Sequence, residues 1–399
     1  MNKKSVQDID LKGRRVLVRA DFNVPLDSQG NITDDARIVK TLPTLQYILS
    51  QNSKLILMSH LGRPKGKDAS CSMKPVAARL TELLKRKVDL LADCTGADVK
   101  ARVSGMKDGE VVLLENLRFH AEEEKNDAAF AKQLAELGEV YVDDAFGAAH
   151  RAHASVEGVT HYLPAVSGLL LAREIEYFEK VMTSPERPFV TILGGSKVSD
   201  KIKVIENLLP KVDALLIGGG MAYTFLKVQG QSIGNSKLDE PGLAIAKDIL
   251  EKSRKMNVKV VLPVDHVAAD SFSEKAQTKV VTTIESGWMG LDIGPRSVEL
   301  FKKELAAAKT ILWNGPVGVF EWPAFANGSR ELAQAIAAGK ATSIVGGGDT
   351  ASAIKEFGLE DKISHISTGG GASLEFLEGK VLPGIAALQE KNAATFQGV

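Results

Sequence analysis

Four glycine clusters mark the second half of the chain: GGSK (194–197), GGG (218–220), GGGDT (346–350) and TGGGAS (368–373). Each lies between a short apolar run and a segment of helical period. A glycine turn that opens a helix leaves backbone N–H groups free and presents the positive end of the helix dipole, which attracts phosphate. One such loop is explained as well by a tight turn that needs glycine for its backbone angles. Four in one half of a chain point to a polyanionic ligand. Lys197 and Lys201 follow the first cluster at a spacing of four. A helix begun at that turn would carry both amines on one face, aimed at one phosphate group. The plainer alternative is a solvated helix flank with Asp200 as ion partner. Asp349 follows three glycines, where a carboxylate can hold Mg2+ on a nucleotide; its plainer role is the N-cap of a helix over 350–357. The loop WNGPVGVFEW (313–322) suits the wall of a base and ribose pocket, with Glu321 accepting from sugar hydroxyls. It also suits a rigid turn with packed tryptophans.

The first half carries arginines instead. Arg37, Arg63, Arg118 and Arg151 fall in or beside loops that follow apolar runs. Guanidinium groups grip phosphate and carboxylate through paired N–H bonds, so convergence of the four on one anion is a reasonable expectation. In HRAH, His150 and His153 are three apart, but no third ligand stands at a zinc-site spacing, so hydrogen-bonding histidines are expected. Asp143 and Asp144 are neighbours on a strand and point to opposite faces, so only one can enter a given site. The familiar nucleotide signatures are missing. GRPKGKD (62–68) is one residue short of a P-loop and lacks its hydroxyl, and the protein-kinase HRD and DFG elements are absent.

The elements that must hold these residues follow from the apolar pattern. Runs at 14–20, 54–60, 111–116 and 140–146 read as strands in the first half, and 189–193, 214–218, 259–265, 310–315 and 341–346 in the second. Helical stretches at 74–87, 121–137, 240–256 and 297–308 alternate with them. This is the pattern of an α/β protein with parallel sheets. We expect two doubly wound parallel-sheet (Rossmann-like) domains facing a cleft, joined by a hinge helix over 167–184 with a Ser start and a Pro stop. The special residues follow the carboxyl ends of the strands, where open α/β sheets bind ligands.

A length of 399 residues suits two domains of ordinary size. Lys+Arg and Asp+Glu are 50 each, and a zero balance argues against nucleic acid or a membrane surface as partner. Cys71 and Cys94 make neither a disulfide framework nor a CxxC metal site, and are expected as two reduced thiols. The amino terminus has no apolar h-region, so a cytoplasmic location is expected. The stretch LPAVSGLLLA (163–172) is about half of a bilayer span.

Taken together, RADFNVP (19–25), SHLGRPKG (59–66), ENLRFHAEEE (115–124), DDAFGAAHRAHAS (143–155), GGSKVSDKI (194–202), IGGGMAYTF (217–225), LDIGP (291–295), ILWNGPVGVFE (311–321), GGGDT (346–350) and STGGGASLE (367–375) resemble the signature blocks of the phosphoglycerate kinase family, in order over essentially the whole chain. Departures are minor: Ala148 replaces a frequent threonine, and SGLLLARE (167–174) is a looser version of a usual block. The resemblance implies reversible phosphoryl transfer from 1,3-bisphosphoglycerate to MgADP, giving 3-phosphoglycerate and MgATP. It implies that residues 1–170, completed by 380–399, bind the phosphoglycerate through Asp21, Asn23, Arg37, His60, Leu61, Gly62, Arg63, Arg118 and Arg151. Residues 171–379 would bind the nucleotide through Gly195, Lys201, Gly219, Gly220, Asn314, Glu321, Gly347, Gly348, Asp349 and Thr350, with Asp349 on Mg2+. Arg37, Lys197, Gly348 and Gly371 would attend the transferring group, and a monomer is expected.

The chemistry fits the residue types. Phosphoryl transfer needs alignment and charge compensation more than covalent help, and the attacking carboxylate is already ionised, so no base is called for. Water must be kept from the acyl phosphate, which implies hinge closure through 155–185 and 375–385. A dinucleotide-dependent dehydrogenase would need GxGxxG after the first strand, and residues 20–30 offer none. A noncatalytic scaffold on the same fold would have let Arg37, Lys197, Lys201 and Asp349 erode.

Overall fold

The computed structural model describes residues 2–392. Its strands are short, continuous apolar runs because parallel sheets are covered on both faces. In the first part they are β1 (Arg15–Arg19), β2 (Lys54–Met58), β3 (Val88–Leu90), β4 (Val111–Leu113), β5 (Val140–Asp143) and β6 (Ala165–Ser167). They form one parallel sheet in the order β3-β4-β2-β1-β5-β6. Val16 pairs with Leu55 on one side and Val140 on the other. Next come β7 (Phe189–Leu193), β8 (Ala214–Ile217), β9 (Lys259–Val261), β10 (His266–Ala269), β11 (Thr278–Val281), β12 (Met289–Ile293), β13 (Thr310–Asn314), β14 (Thr342–Gly346) and β15 (His365–Ile366). A second parallel sheet runs β15-β14-β13-β7-β8-β9, and β11-β10-β12 make a small antiparallel sheet.

The chain divides into two compact units, Met1–Glu176 with Val381–Val399, and Tyr177–Lys380. The first packs Val16, Val18, Leu57 and Val142 against Ile38 and Leu45. The second packs Ile192, Leu216 and Trp313 against Phe301 and Leu332. The chain passes between the units twice, once within the helix Leu169–Thr183. That helix begins after the expected Ser167, which ends β6; its first amides are met instead by Asp144 Oδ1, which accepts from Leu170 (3.0 Å) and Leu171 (3.1 Å), and by Thr44 Oγ1, which accepts from Leu169 (3.0 Å). The return segment runs beside the amino terminus: the Lys4 amide donates to the Gln389 carbonyl (2.8 Å), and that of Gln389 to Ala165 (3.0 Å). Residues 393–399, assigned to this return by the resemblance, lie outside the described residues. Among the described residues no helix is long and apolar enough to cross a membrane.

Several boundaries differ from those read in the pattern. The helical stretch 121–137 is two helices, Ala121–Glu124 and Ala128–Ala135, because Asn126 turns to a φ of 53° and Asp127 caps the second through the Phe130 amide (2.9 Å). Strands β2, β4 and β5 stop before the polar ends of their runs, and those ends turn out of the sheet as loops. The antiparallel sheet went unread because β11 alternates exposed and half-buried residues and has no apolar run.

Asp143 and Asp144 do not divide between a site and the interior. Both are fully buried, and burial pushes each carboxyl up to about 7. Asp143 Oδ1 accepts from the Ala145 amide (3.0 Å), while its Oδ2 has no hydrogen-bond partner among the described residues. A carboxyl whose folded pKa lies above its ordinary value binds more protons folded than unfolded, so stability is lost as pH rises from about 4 through 7. Asp143→Asn keeps the Oδ1 bond and cannot ionise. Its melting temperature should exceed that of the parent at about pH 8 and converge with it near pH 4, in paired thermal melts; an offset equal at both pH values would refute this.

Candidate functional site

Each unit gathers polar groups at the carboxyl edge of its own sheet. In the first, β1 ends in Arg19, whose side chain is fully buried. Its Nε donates to Ser155 Oγ (2.9 Å), Nη1 to the Ala20 carbonyl (2.5 Å) and Nη2 to His60 Nδ1 (3.0 Å). A guanidinium has no acceptor, so His60 Nδ1 must be the bare nitrogen and its proton sits on Nε2. Behind Arg19, the buried Glu123 accepts from the Ser155 amide (2.9 Å) and hydroxyl (2.5 Å). The sequence reading missed Arg19, Ser155 and Glu123. The available signal was a charged residue inside the apolar run RVLVRA.

Around His60 the sheet edge collects cations. Burial first, then Arg19, Arg118, Arg37 and Arg151, hold its imidazole well below the usual histidine range. Burial and the charges of Arg19, Arg118, Arg151 and His150 bring His153 to about 4. Positive charge gathered this densely makes a socket for an anion. Asn116 fastens the loop beneath it: Oδ1 accepts from Leu61 (3.2 Å) and Arg118 (3.0 Å) amides, and Nδ2 donates to the Leu61 (2.7 Å) and Cys71 (2.8 Å) carbonyls. Arg118 Nη1 donates to the Gly62 carbonyl (2.8 Å), and Asn23 Oδ1 accepts from the Gly62 amide (2.8 Å). Arg37 is not in a loop but in the first turn of the helix Ala36–Ser50, and its Nη1 donates to Asp21 Oδ2 (2.6 Å). Arg63 is exposed and makes no hydrogen bond or ion pair among the described residues. Of the HRAH histidines, His150 Nε2 lies 3.2 Å from Arg151 Nε, whereas His153 Nδ1 is 3.8 Å from Glu123 Oε1, beyond hydrogen-bond reach.

In the second unit the glycine clusters occupy the expected places. They follow β7, β8, β14 and β15, and the last three open the helices Gly219–Val228, Gly348–Glu356 and Gly371–Leu377. A cleft of about 590 Å³ is lined by Gly195, Gly219, Gly220, Glu321 and Asp349, with Tyr223, Phe272, Leu291 and Phe320 as apolar walls. The loops touch backbone to backbone. A Cβ on Gly219 would stand 2.8 Å from the Gly195 amide nitrogen, and one on Gly194 would overlap the Pro316 carbonyl.

Lys201 is bonded to the side chain of Asn314 at the end of β13, and burial lowers it to about 8 against the pull of Asp349 and Asp200. Lys197 does not share its face. The regular helix begins only at Ile202 after a 3-10 turn over Ser199–Lys201, so Lys197 sits in the preceding loop, exposed. Asp349 is not an N-cap either. Gly347 takes that place with a φ of 90°, leaving Asp349 exposed in the first turn. Thr350 Oγ accepts from the Gly315 amide (2.7 Å), tying the β13 and β14 loops together. Asn235, Lys237 and Phe272 line the cleft from segments that carried no motif, and Tyr223 lines it from the block IGGGMAYTF, where it was given no role.

A family model described as phosphoglycerate kinase matches residues 6–380. The chain belongs to the phosphoglycerate kinase family. It is 55% identical over 397 residues to the phosphoglycerate kinase of Dictyoglomus turgidum, covering 98% of this chain and 100% of that one. With the phosphoglycerate kinase of Acidobacterium capsulatum the identity is 56% over 404 residues, again 98% and 100%. The solved phosphoglycerate kinase of Coxiella burnetii is similar at a TM-score of 0.89 and 44% identity, covering 96% of this chain and 98% of that chain. That of Pyrococcus horikoshii gives 0.84 and 33%, covering 97% and 99%. The activity is that of a glycolytic kinase, transferring phosphate between 3-phosphoglycerate and ATP.

The buried chain from Arg19 through Ser155 to Glu123 has a stability consequence. Removing one member of a buried charge set leaves the other without compensation. Arg19→Met should lower unfolding stability by about 3 kcal/mol in urea titrations of this family member; a loss below about 1 kcal/mol would show the guanidinium to be dispensable.

Proposed function

We propose that the arginine socket of the first unit binds 3-phosphoglycerate or 1,3-bisphosphoglycerate and that the glycine cleft of the second binds MgADP or MgATP. The observation that carries this is His60: its Nε2–H is a fixed neutral donor, and four arginines act on the ring. The phosphate of phosphoglycerate would be held by His60, Arg63, Arg118 and Arg151, with Leu61 and Gly62 presenting the loop. Asp21 and Asn23 would orient the other end of the substrate. Arg37, anchored through one nitrogen on Asp21, would turn its remaining N–H groups to the carboxylate that receives phosphate. In this reading the two units are the phosphoglycerate-binding and nucleotide-binding domains.

Adenine would lie against Gly195, Gly219 and Gly220, with Glu321 near the ribose and Asn314 and Lys201 near the phosphates. The amides of Gly347, Gly348 and Gly371, with Thr350 fixing the loop, would face the phosphate chain. Asp349 fits Mg2+: it is an exposed carboxylate on the cleft wall, a hard oxygen donor of the kind this ion takes beside phosphate. Bound there, Mg2+ would offset charge on the nucleotide phosphates. The protein's own share is alignment and charge compensation: Arg37 and the exposed Lys197 supply positive charge where the transferring group carries negative charge. Closure would bend the chain at its two passages between units, excluding water from the acyl phosphate. We also infer a monomer working in the cytoplasm.

A coupled assay of ATP formation from 1,3-bisphosphoglycerate and ADP tests the assignment, and absence of turnover would overturn it. Within that assay, Arg37→Ala should lower kcat by about 100-fold or more with little change in KM, as expected for a group acting on the transition state. Arg63→Ala should instead raise the phosphoglycerate KM. If Arg37→Ala moved only KM, the group would be a ground-state anchor.

Lys201 gives a pH signature. Its free-protein pKa of about 8 should rise when phosphate binds beside it. ADP affinity should therefore be flat below pH 8 and weaken by up to about tenfold per pH unit above it. Isothermal titration of Lys201→Met should show weak binding without that slope; a persisting slope would assign it elsewhere.

A further inference from the structure

We propose that Asp93, Cys94 and His120, on the first unit and outside the arginine socket, form a binding site for a borderline-soft divalent cation of the zinc class. One atom from each, a carboxylate oxygen, Cys94 Sγ and an imidazole nitrogen, lies within 4.8 Å of the other two. A tetrahedral zinc with bonds of about 2.0–2.3 Å fits among these three atoms once the short Asp93–His120 edge opens. The mixture of oxygen, sulfur and nitrogen donors is the kind this ion selects over Mg2+ or Ca2+.

The ligands come from two neighbouring strand ends. Asp93 and Cys94 follow β3, and His120 closes the 3-10 turn Leu117–Phe119 after β4. The geometry is held without an ion. His120 Nε2 lies 2.5 Å from Asp93 Oδ1, and the ring stacks on Phe130 at 5.1 Å between centroids. The Cys94 amide donates to Asp93 Oδ1 (2.7 Å), and the thiol donates to the Glu115 carbonyl (3.2 Å). Cys94 is fully buried, whereas the Asp93 and His120 side chains are 28% and 25% exposed, so entry and a fourth, water-filled position lie on their side.

Burial and the nearby acids Asp93, Glu123 and Glu115 push the Cys94 thiol well up. Those acids oppose a bare thiolate but favour a cation. Binding forms the metal–sulfur bond and releases the thiol proton to solvent, so charge and mass balance without a co-reactant. His120 and Asp93 separate as the ion enters between them. One group competes: Lys67 Nζ sits 3.1 Å from Asp93 Oδ2. None of the four residues takes part in the phosphoryl transfer described above.

The test uses the full chain, free of nucleotide and Mg2+, titrated with Co2+ as a spectroscopic stand-in for zinc. One equivalent should bind and raise a thiolate-to-cobalt absorption band, which Zn2+ then abolishes by displacement. The band should be lost in Cys94→Ser and His120→Ala and kept in Cys71→Ser. Lys67→Ala should tighten binding several-fold by freeing Asp93. Affinity should rise about tenfold from pH 7 to 8, as one released proton requires. Unaltered phosphoglycerate kinase activity in the metal-free variants establishes that they are folded. No band at one equivalent, or the same band in Cys94→Ser, overturns the proposal, as does binding that Lys67→Ala leaves unchanged.

Discussion

The guanidinium of Arg19 is enclosed at the carboxyl end of β1, and the first unit's anion socket is arranged around it. Its charge cannot be left alone in a low-dielectric interior, and Glu123 answers it from behind through Ser155. On the front it faces an imidazole. The Arg19–His60 contact forces one tautomer, and burial, with the surrounding arginines, keeps that ring neutral. A histidine so placed cannot be a proton shuttle at neutral pH. It is a hydrogen-bond donor of fixed direction beside an excess of positive charge. Asn116 and Asn23 then hold the 61–62 loop at the rim, so the socket's shape depends on amide hydrogen bonds that no change of pH disturbs.

The second unit meets the same electrostatic problem with backbone instead of side chains. Its glycine loops approach so closely that a Cβ on Gly194 or Gly219 would collide with the neighbouring turn. Only then can the Gly195 turn and the Gly219–Gly220 helix opening line one cleft. Thr350, accepting from Gly315, ties two of these loops. Lys201 is a half-buried cation here, and its contact with Asn314 spares it part of the cost of burial. Positive charge is therefore presented in two ways: by side chains in the arginine socket, and by backbone in the glycine cleft.

Much of the fold was legible because parallel strands covered on both faces must be continuous apolar runs. β1, β2, β5, β7, β13 and β14 were read within a residue or two at their starts for that reason. β3, β6 and β15, of two or three residues, show no period; β4 and β9 are as short but were read because each begins a longer apolar run. β10 to β12 escaped because a sheet with one exposed edge has a mixed composition. Helix 121–137 was misread because Asn126 and Asp127 break it by local hydrogen bonding, a choice that apolar spacing does not record.

For the site, residue type and position by themselves led to the expectation of anion binding at strand ends, by arginines in one half and glycine loops in the other. They also determined the family, since ten blocks in fixed order leave little room for another. Tertiary structure decided what each group is doing. Lys197 and Lys201 are four apart in sequence, yet one is exposed in a loop and the other half-buried on Asn314, because the helix starts after them. Asp143 and Asp144 look like a dyad, yet both are sealed in the interior. Arg19 looks like one more strand residue, yet its guanidinium fixes the proton on His60. These outcomes depend on burial and on partners distant in sequence, quantities that spacing along a chain does not contain.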